Sequence, residues 1–161
     1  MKSKIVFPIL LIITTFLVFV PAAPAWAAGG EVAAVVFTWK NMGLMGPGDV
    51  SEHYVSVTRV SNVIQHGIDY HEGEKVQKIV LYRTDDGARF RLLDALGYAA
   101  EGWAANYEEE IMDGSSWRVA LHYADGAYKE FEGYGATPPG SEMIKEQVLN
   151  LAEYEVKPRL F

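Results

Sequence analysis

Trp117-Arg-Val-Ala-Leu-His-Tyr123-Ala-Asp-Gly-Ala127-Tyr-Lys-Glu-Phe-Glu-Gly-Tyr134 carries the strongest local structural signal in the chain. Trp117, Val119, Leu121 and Tyr123 alternate with Arg118, Ala120, His122 and Ala124, the period of two that belongs to a strand with one dry and one wet face. Asp125-Gly126 reads as a two-residue type I′ hairpin turn, with glycine accepting the positive φ that this geometry demands. Ala127 to Tyr134 is the returning strand. Tyr128, Glu130, Glu132 and Tyr134 then fall together on its solvent side.

Working upstream, Val32 to Lys40 alternates Val35, Phe37 and Trp39 against Ala34, Val36 and Thr38, a first strand. The glycine-rich stretch Asn41 to Gly48 is a loop. Tyr54 to Val60 is a second strand that runs on towards Ile64. Gln65 to Glu74 is polar and reads as an edge strand or a loop. Val76 to Arg83 is a strand with apolar residues on both faces, ended by Asp85-Asp86-Gly87. Phe90, Leu93, Leu96, Ala100 and Trp103 recur at helical spacing and predict a helix over 88–105, which Gly97 and Gly102 weaken. Tyr107 to Met112 is a short strand, and Asp113 to Ser116 a turn. Downstream, Thr137-Pro-Pro-Gly140 breaks the sheet. Ser141 is placed to cap a closing helix whose buried stripe is Ile144, Val148, Leu151 and Ala152. The expectation is an α+β domain: an antiparallel β-meander with one internal and one C-terminal helix packed on one face.

The N-terminus has a different logic. Lys2 and Lys4 precede an apolar run from Ile5 to Val20, and Ala25-Trp26-Ala27 supplies a small-x-small exit. That order predicts a cleaved secretory signal peptide over 1–27 and a single exported domain over 28–161, secreted or periplasmic. The run is broken by Pro8 and followed by Pro21 and Pro24, which argues against a stable membrane span of roughly 20 apolar residues.

The 161-residue chain carries 21 Asp and Glu against 14 Lys and Arg, for a net charge of −7. Losing Lys2 and Lys4 with the leader makes the remainder more acidic still. Such a surface repels phosphate backbones, so nucleic acid is a poor partner. The absence of cysteine removes thiol nucleophiles, thiolate metal sites and stabilising disulfides together.

No catalytic constellation stands out. Glu52, His53, His66, Asp69, His71 and Glu72 are zinc-type ligands, but alternation sends His66 and His71 to opposite faces of a strand, so no metal and no cofactor are expected. Ser115 and Ser116 precede His122 and Asp125 without the elbow that exposes a serine nucleophile. Glu101, Glu108, Glu110 and Asp113, with Asp94 nearby, offer carboxylates for a small hydrolase acting on cell-wall sugars, and such chemistry needs two of them across one cleft. The stronger expectation is a non-enzymatic binding domain that meets a protein or envelope component through Tyr128, Glu130, Glu132 and Tyr134, since tyrosine offers a flat body with a polar tip. Met42, Leu44 and Met45 in the first loop add apolar groups. A self-assembling structural component of the envelope is the remaining alternative.

Asp113-Gly114-Ser-Ser-Trp117, Leu121-His-Tyr123-x-Asp125-Gly126 and Gly133-Tyr-Gly-Ala-x-Pro138 together resemble small bacterial exported domains of unassigned function. The resemblance spans residues 113–138 and consists of turn and core residues. It implies a shared fold and transfers no catalytic position.

Overall fold

The computed structural model describes residues 30–71, 76–110 and 114–161. The signal peptide expected over 1–27, together with Glu72 and Asp113, lies outside them. In chain order the elements are β1 (Val32–Asn41), β2 (Asp49–Thr58), β3 (Val63–His71), β4 (Val76–Arg83), α1 (Asp86–Ala100), β5 (Asn106–Glu108), β6 (Ser115–Tyr123), β7 (Tyr128–Tyr134) and α2 (Ser141–Leu149). The strands form one seven-stranded sheet in the order β4-β3-β2-β1-β6-β7-β5. Every pairing is antiparallel except β5 with β7. The fold is α+β, with one internal and one C-terminal helix.

Strand alternation is what makes the sheet two-sided. Val35, Phe37, Val55, Val57, Ile64, Trp117, Val119, Leu121 and Phe131 all point to one face and are buried there. Leu92, Leu93 and Leu96 of α1 and Ile144 and Val148 of α2 join them in a single core. Arg59, at the end of β2, ties α1 down. Its Nε donates to the Val32 carbonyl at 2.7 Å, and its guanidinium pairs with Asp94 of α1 and with Glu31.

Several expectations shift by identifiable causes. The segment from Tyr54 towards Ile64 divides into two strands, and Gln65 to His71 belongs to β3, an interior strand between β2 and β4 rather than an edge or a loop. Its polar residues are tolerated because Gln65 faces away from the core and His66 has a partner. Helix α1 starts earlier than the apolar period suggests because Asp85 caps it, accepting from the Ala88 N–H at 2.9 Å. It also stops earlier, and Trp103 turns back into the core with its indole N–H on the Pro139 carbonyl at 2.9 Å. Ser141 is the buried first residue of α2, not its cap; Gly140 occupies that position in a left-handed conformation with no side-chain cap bond.

The β6–β7 hairpin also differs from the type I′ expectation. Among the described residues positive φ is confined to glycine, with Gly126 at 88°. Gly126 N–H donates to the Tyr123 carbonyl at 3.0 Å and Tyr123 N–H to the Ala127 carbonyl at 2.9 Å. Three residues therefore close the loop, with glycine alone in the left-handed position.

The two helices do not cover the whole apolar face. The segment after α2 completes the cover: Tyr154 packs edge-on against His66 and Tyr82, the Arg159 guanidinium lies 4.9 Å from the Trp39 ring centre, and Phe161 meets Phe37, Trp103 and Trp117. Beneath it sits a buried histidine pair. His53 Nδ1 and His66 Nε2 are 3.0 Å apart, one donating to the other, with their rings stacked. Burial, then each other or a nearby cation, holds both imidazoles neutral: His53 falls to about 4 through burial, His66 and Arg159, and His66 to about 4 through burial and Lys78.

An unfolded histidine titrates near 6.5 and these do so near 4, so between the two values the unfolded chain binds more protons than the folded one. The stability associated with the neutral pair is complete above pH 6.5 and is lost progressively as pH falls towards about 4. Urea midpoints measured across that window should drop with acidification, and His53→Gln with His66→Gln should flatten the upper half of the slope. An unchanged slope in the double variant would contradict the assignment.

Candidate functional site

The other face of the sheet has no covering layer among the described residues, and the expected binding residues lie on it. On β7, Tyr128, Glu130 and Glu132 are exposed and Tyr134 is half-buried. The register sets them beside β6: Tyr128 opposite His122, Glu130 opposite Ala120, Glu132 opposite Arg118 and Tyr134 opposite Ser116. Further across, β1 contributes Thr38 beside Arg118 and Lys40 beside Ser116, and β2 sets Glu52 beside Lys40.

The four residues separate into two groups. Tyr128 donates its hydroxyl to Glu130, whose carboxylate also lies 3.4 Å from the Arg118 guanidinium. The His122 ring is centred 5.1 Å from that of Tyr128. Chiefly the bond to Glu130, with some desolvation, raises the Tyr128 hydroxyl above its ordinary value. Glu132 and Tyr134 instead line a groove of about 420 Å³ with Thr38, Lys40, Glu52 and Glu108. Lys40 and Glu52 pair at 3.2 Å. Asn106 donates to Glu108 at 3.0 Å. β5, which brings Asn106 and Glu108 here, is held against β7 in parallel register.

Thr38, Lys40 and Arg118 are groove residues that the sequence does not single out, whereas it offers Glu52 only as a metal ligand and Glu108 only as a hydrolase carboxylate. They come from four strands distant along the chain, and only the pairing order brings them together. Alternation within β1 and β6 is the available signal, since it sets Thr38, Lys40 and Arg118 on the wet face.

Two glycines let aromatic rings lie flat on this sheet. A Cβ at Gly133 would sit 2.5 Å from the Trp117 indole on the covered side, and one at Gly67 would overlap the Tyr54 ring at 1.8 Å on the open side. Trp117, so seated, donates its N–H to the Ala136 carbonyl at 2.7 Å and pins the chain leaving β7. A second cavity of about 380 Å³ opens at the end of the covered side between Trp39, Trp117, Arg159 and Phe161.

The other candidates are dispersed. Ser116 and His122 share one strand six positions apart, about 20 Å. Asp125 instead accepts from the Ala127 N–H at 2.9 Å within the turn. Of the hydrolase carboxylates, Glu108 lines the groove and Glu101 lies at the C-terminal end of α1. Asp94 is engaged by Arg59. His66 points into the core, where it meets His53, while His71 is exposed. No cluster of three or more metal-ligating side chains occurs among the described residues, and no helix among them is long and apolar enough to cross a membrane.

No family model matches the chain, and neither do curated proteins nor solved structures.

The packing of Trp117 on Gly133 supports the groove from behind. Gly133→Ala forces the indole or the strand to move, and is expected to cost about 1–3 kcal/mol in chemical unfolding, the usual range for overpacking. A wild-type midpoint for that variant would show that the indole is not confined as described.

Proposed function

We propose that the chain is an exported, non-enzymatic binding domain that engages a protein or envelope component through the open, acidic, tyrosine-bearing face of its sheet. The observation that carries this reading is the uncovered groove beside β7, where Glu52, Glu108 and Glu132 outnumber Lys40 and Arg118 around Tyr134. Carboxylates there attract a basic partner, and the tyrosines add contact area at little entropic cost. The leader-like N-terminus supports export. The groups involved are held in place by rigid strands, which suits recognition without rearrangement.

The test begins with capture of the partner from the producing cell's envelope by crosslinking. Glu130→Lys with Glu132→Lys should then weaken a basic partner at least tenfold while leaving the unfolding midpoint in place, about 1.4 kcal/mol of binding free energy or more. Unchanged affinity would remove this face from consideration.

A carboxylate-pair hydrolase is the second reading, favoured by one observation: Glu108 shares its groove with Glu52 and Glu132. Amide replacements at these three positions with no loss of turnover on wall glycans would dispose of it.

A further inference from the structure

The opposite edge of the sheet presents a second surface, independent of the open-face groove. β4 has β3 on one side and, among the described residues, no strand on the other. Thr84 N–H donates to the Asn62 carbonyl at 2.9 Å, and the register continues with Arg83 opposite Val63, Tyr82 opposite Ile64 and Val80 opposite His66. Antiparallel pairs alternate between bonded and non-bonded. Lys78, Val80 and Tyr82 therefore direct their backbone groups to β3, while those of Gln77, Ile79, Leu81 and Arg83 point outward from the edge.

The side chains on that edge are unusual for a guarded strand. Ile79 is 50 % and Leu81 65 % exposed, both on the open face. Ile79 lies opposite Gly67, the residue that the Tyr54 ring covers. Val76–Arg83 contains no carboxylate, although the chain holds 21. Two copies of an acidic protein thus meet no carboxylate repulsion from the strand itself. An edge lysine ordinarily deters strand addition. Lys78, however, lies on the covered side and is paired with Glu155.

We propose that β4 pairs antiparallel with β4 of a second copy about a two-fold axis at Val80, joining two sheets into one. The outward backbone groups belong to odd-numbered residues, so only registers that set odd against odd satisfy them. An axis at Leu81 would place Ile79 opposite Arg83 of the second copy, and an axis at Ile79 would place Gln77 opposite Leu81. The axis at Val80 sets Ile79 against Leu81, Gln77 against Arg83 and Lys78 against Tyr82. Apolar meets apolar, no cation meets a cation, and four aliphatic side chains form one stripe across the junction. A two-fold contact of this kind is self-complementary and closed.

The absence of native cysteine makes the register directly readable. In a non-bonded antiparallel pair the Cα atoms are about 4.5 Å apart, within disulfide range. Oxidised glutathione, which takes up the two electrons and two protons, should convert Val80→Cys to a covalent dimer. Ile79→Cys and Leu81→Cys should cross-link at least about tenfold more slowly, because their partners lie two positions away in the proposed register. Sedimentation equilibrium of the protein as the cell accumulates it should show a dimer, and Leu81→Lys or Ile79→Lys should return it to a monomer that still unfolds cooperatively, at a midpoint that no longer depends on protein concentration. A native monomer at every concentration, or cross-linking at Ile79 or Leu81 as fast as at Val80, would overturn the proposal.

Discussion

Phe161 packs edge-on against Phe37, Trp103 and Trp117. That contact closes a face which the helices leave partly uncovered. Seven strands present more dry surface than α1 and α2 can bury, and apolar surface left in water loses roughly 25 cal/mol for each Å². The segment from Tyr154 to Phe161 therefore behaves as a third covering element, although it has no regular secondary structure. Leu160 is buried, and Arg159 extends across Trp39. The neutral histidine pair is a consequence of the same closure, since burial removes the solvation that a charged imidazole needs.

Completing one face leaves the other wet, and this asymmetry organises the charged surface. Along β7 and β6 the wet residues are the ones that can recognise something: carboxylates, tyrosines and a single arginine held at fixed cross-strand spacing. Strand pairing does the positioning. Glu132 and Glu52 are distant in sequence, yet both line one groove because β1 and β6 lie between their strands. At the far edge the composition reverses, with Ile79 and Leu81 exposed and no carboxylate on the strand. One sheet thus offers an acidic groove near one edge and an apolar strip at the other.

The parts of this arrangement with a local period were legible in the sequence. Alternation in Trp117–Tyr123 identified β6 and its dry face, and it placed Tyr128, Glu130 and Glu132 in solvent. The spacing of Leu93, Leu96 and Ala100 located α1. What stayed hidden was non-local. His66 reads as a polar residue on an edge strand or a loop because its partner, His53, lies on the neighbouring strand, and a bond between two histidines leaves no mark on either stretch. The terminal segment has no period to read. Its role depends on how much face the helices leave bare, which only the assembled sheet defines. Thr38, Lys40 and Glu108 joined the site for the same reason: strand order is a property of the whole chain.

One face of the sheet is sealed by helices and the terminal segment, and the proposed function assigns contact to the other. Photo-crosslinking in the producing cell separates the two faces, with the reactive side chain placed in turn at Thr38, at Glu132 and at Tyr98, the last being 82 % exposed on α1. A discrete adduct with another molecule is expected from Thr38 and Glu132 and none from Tyr98. Adducts from Tyr98 with none from the open face would contradict that assignment.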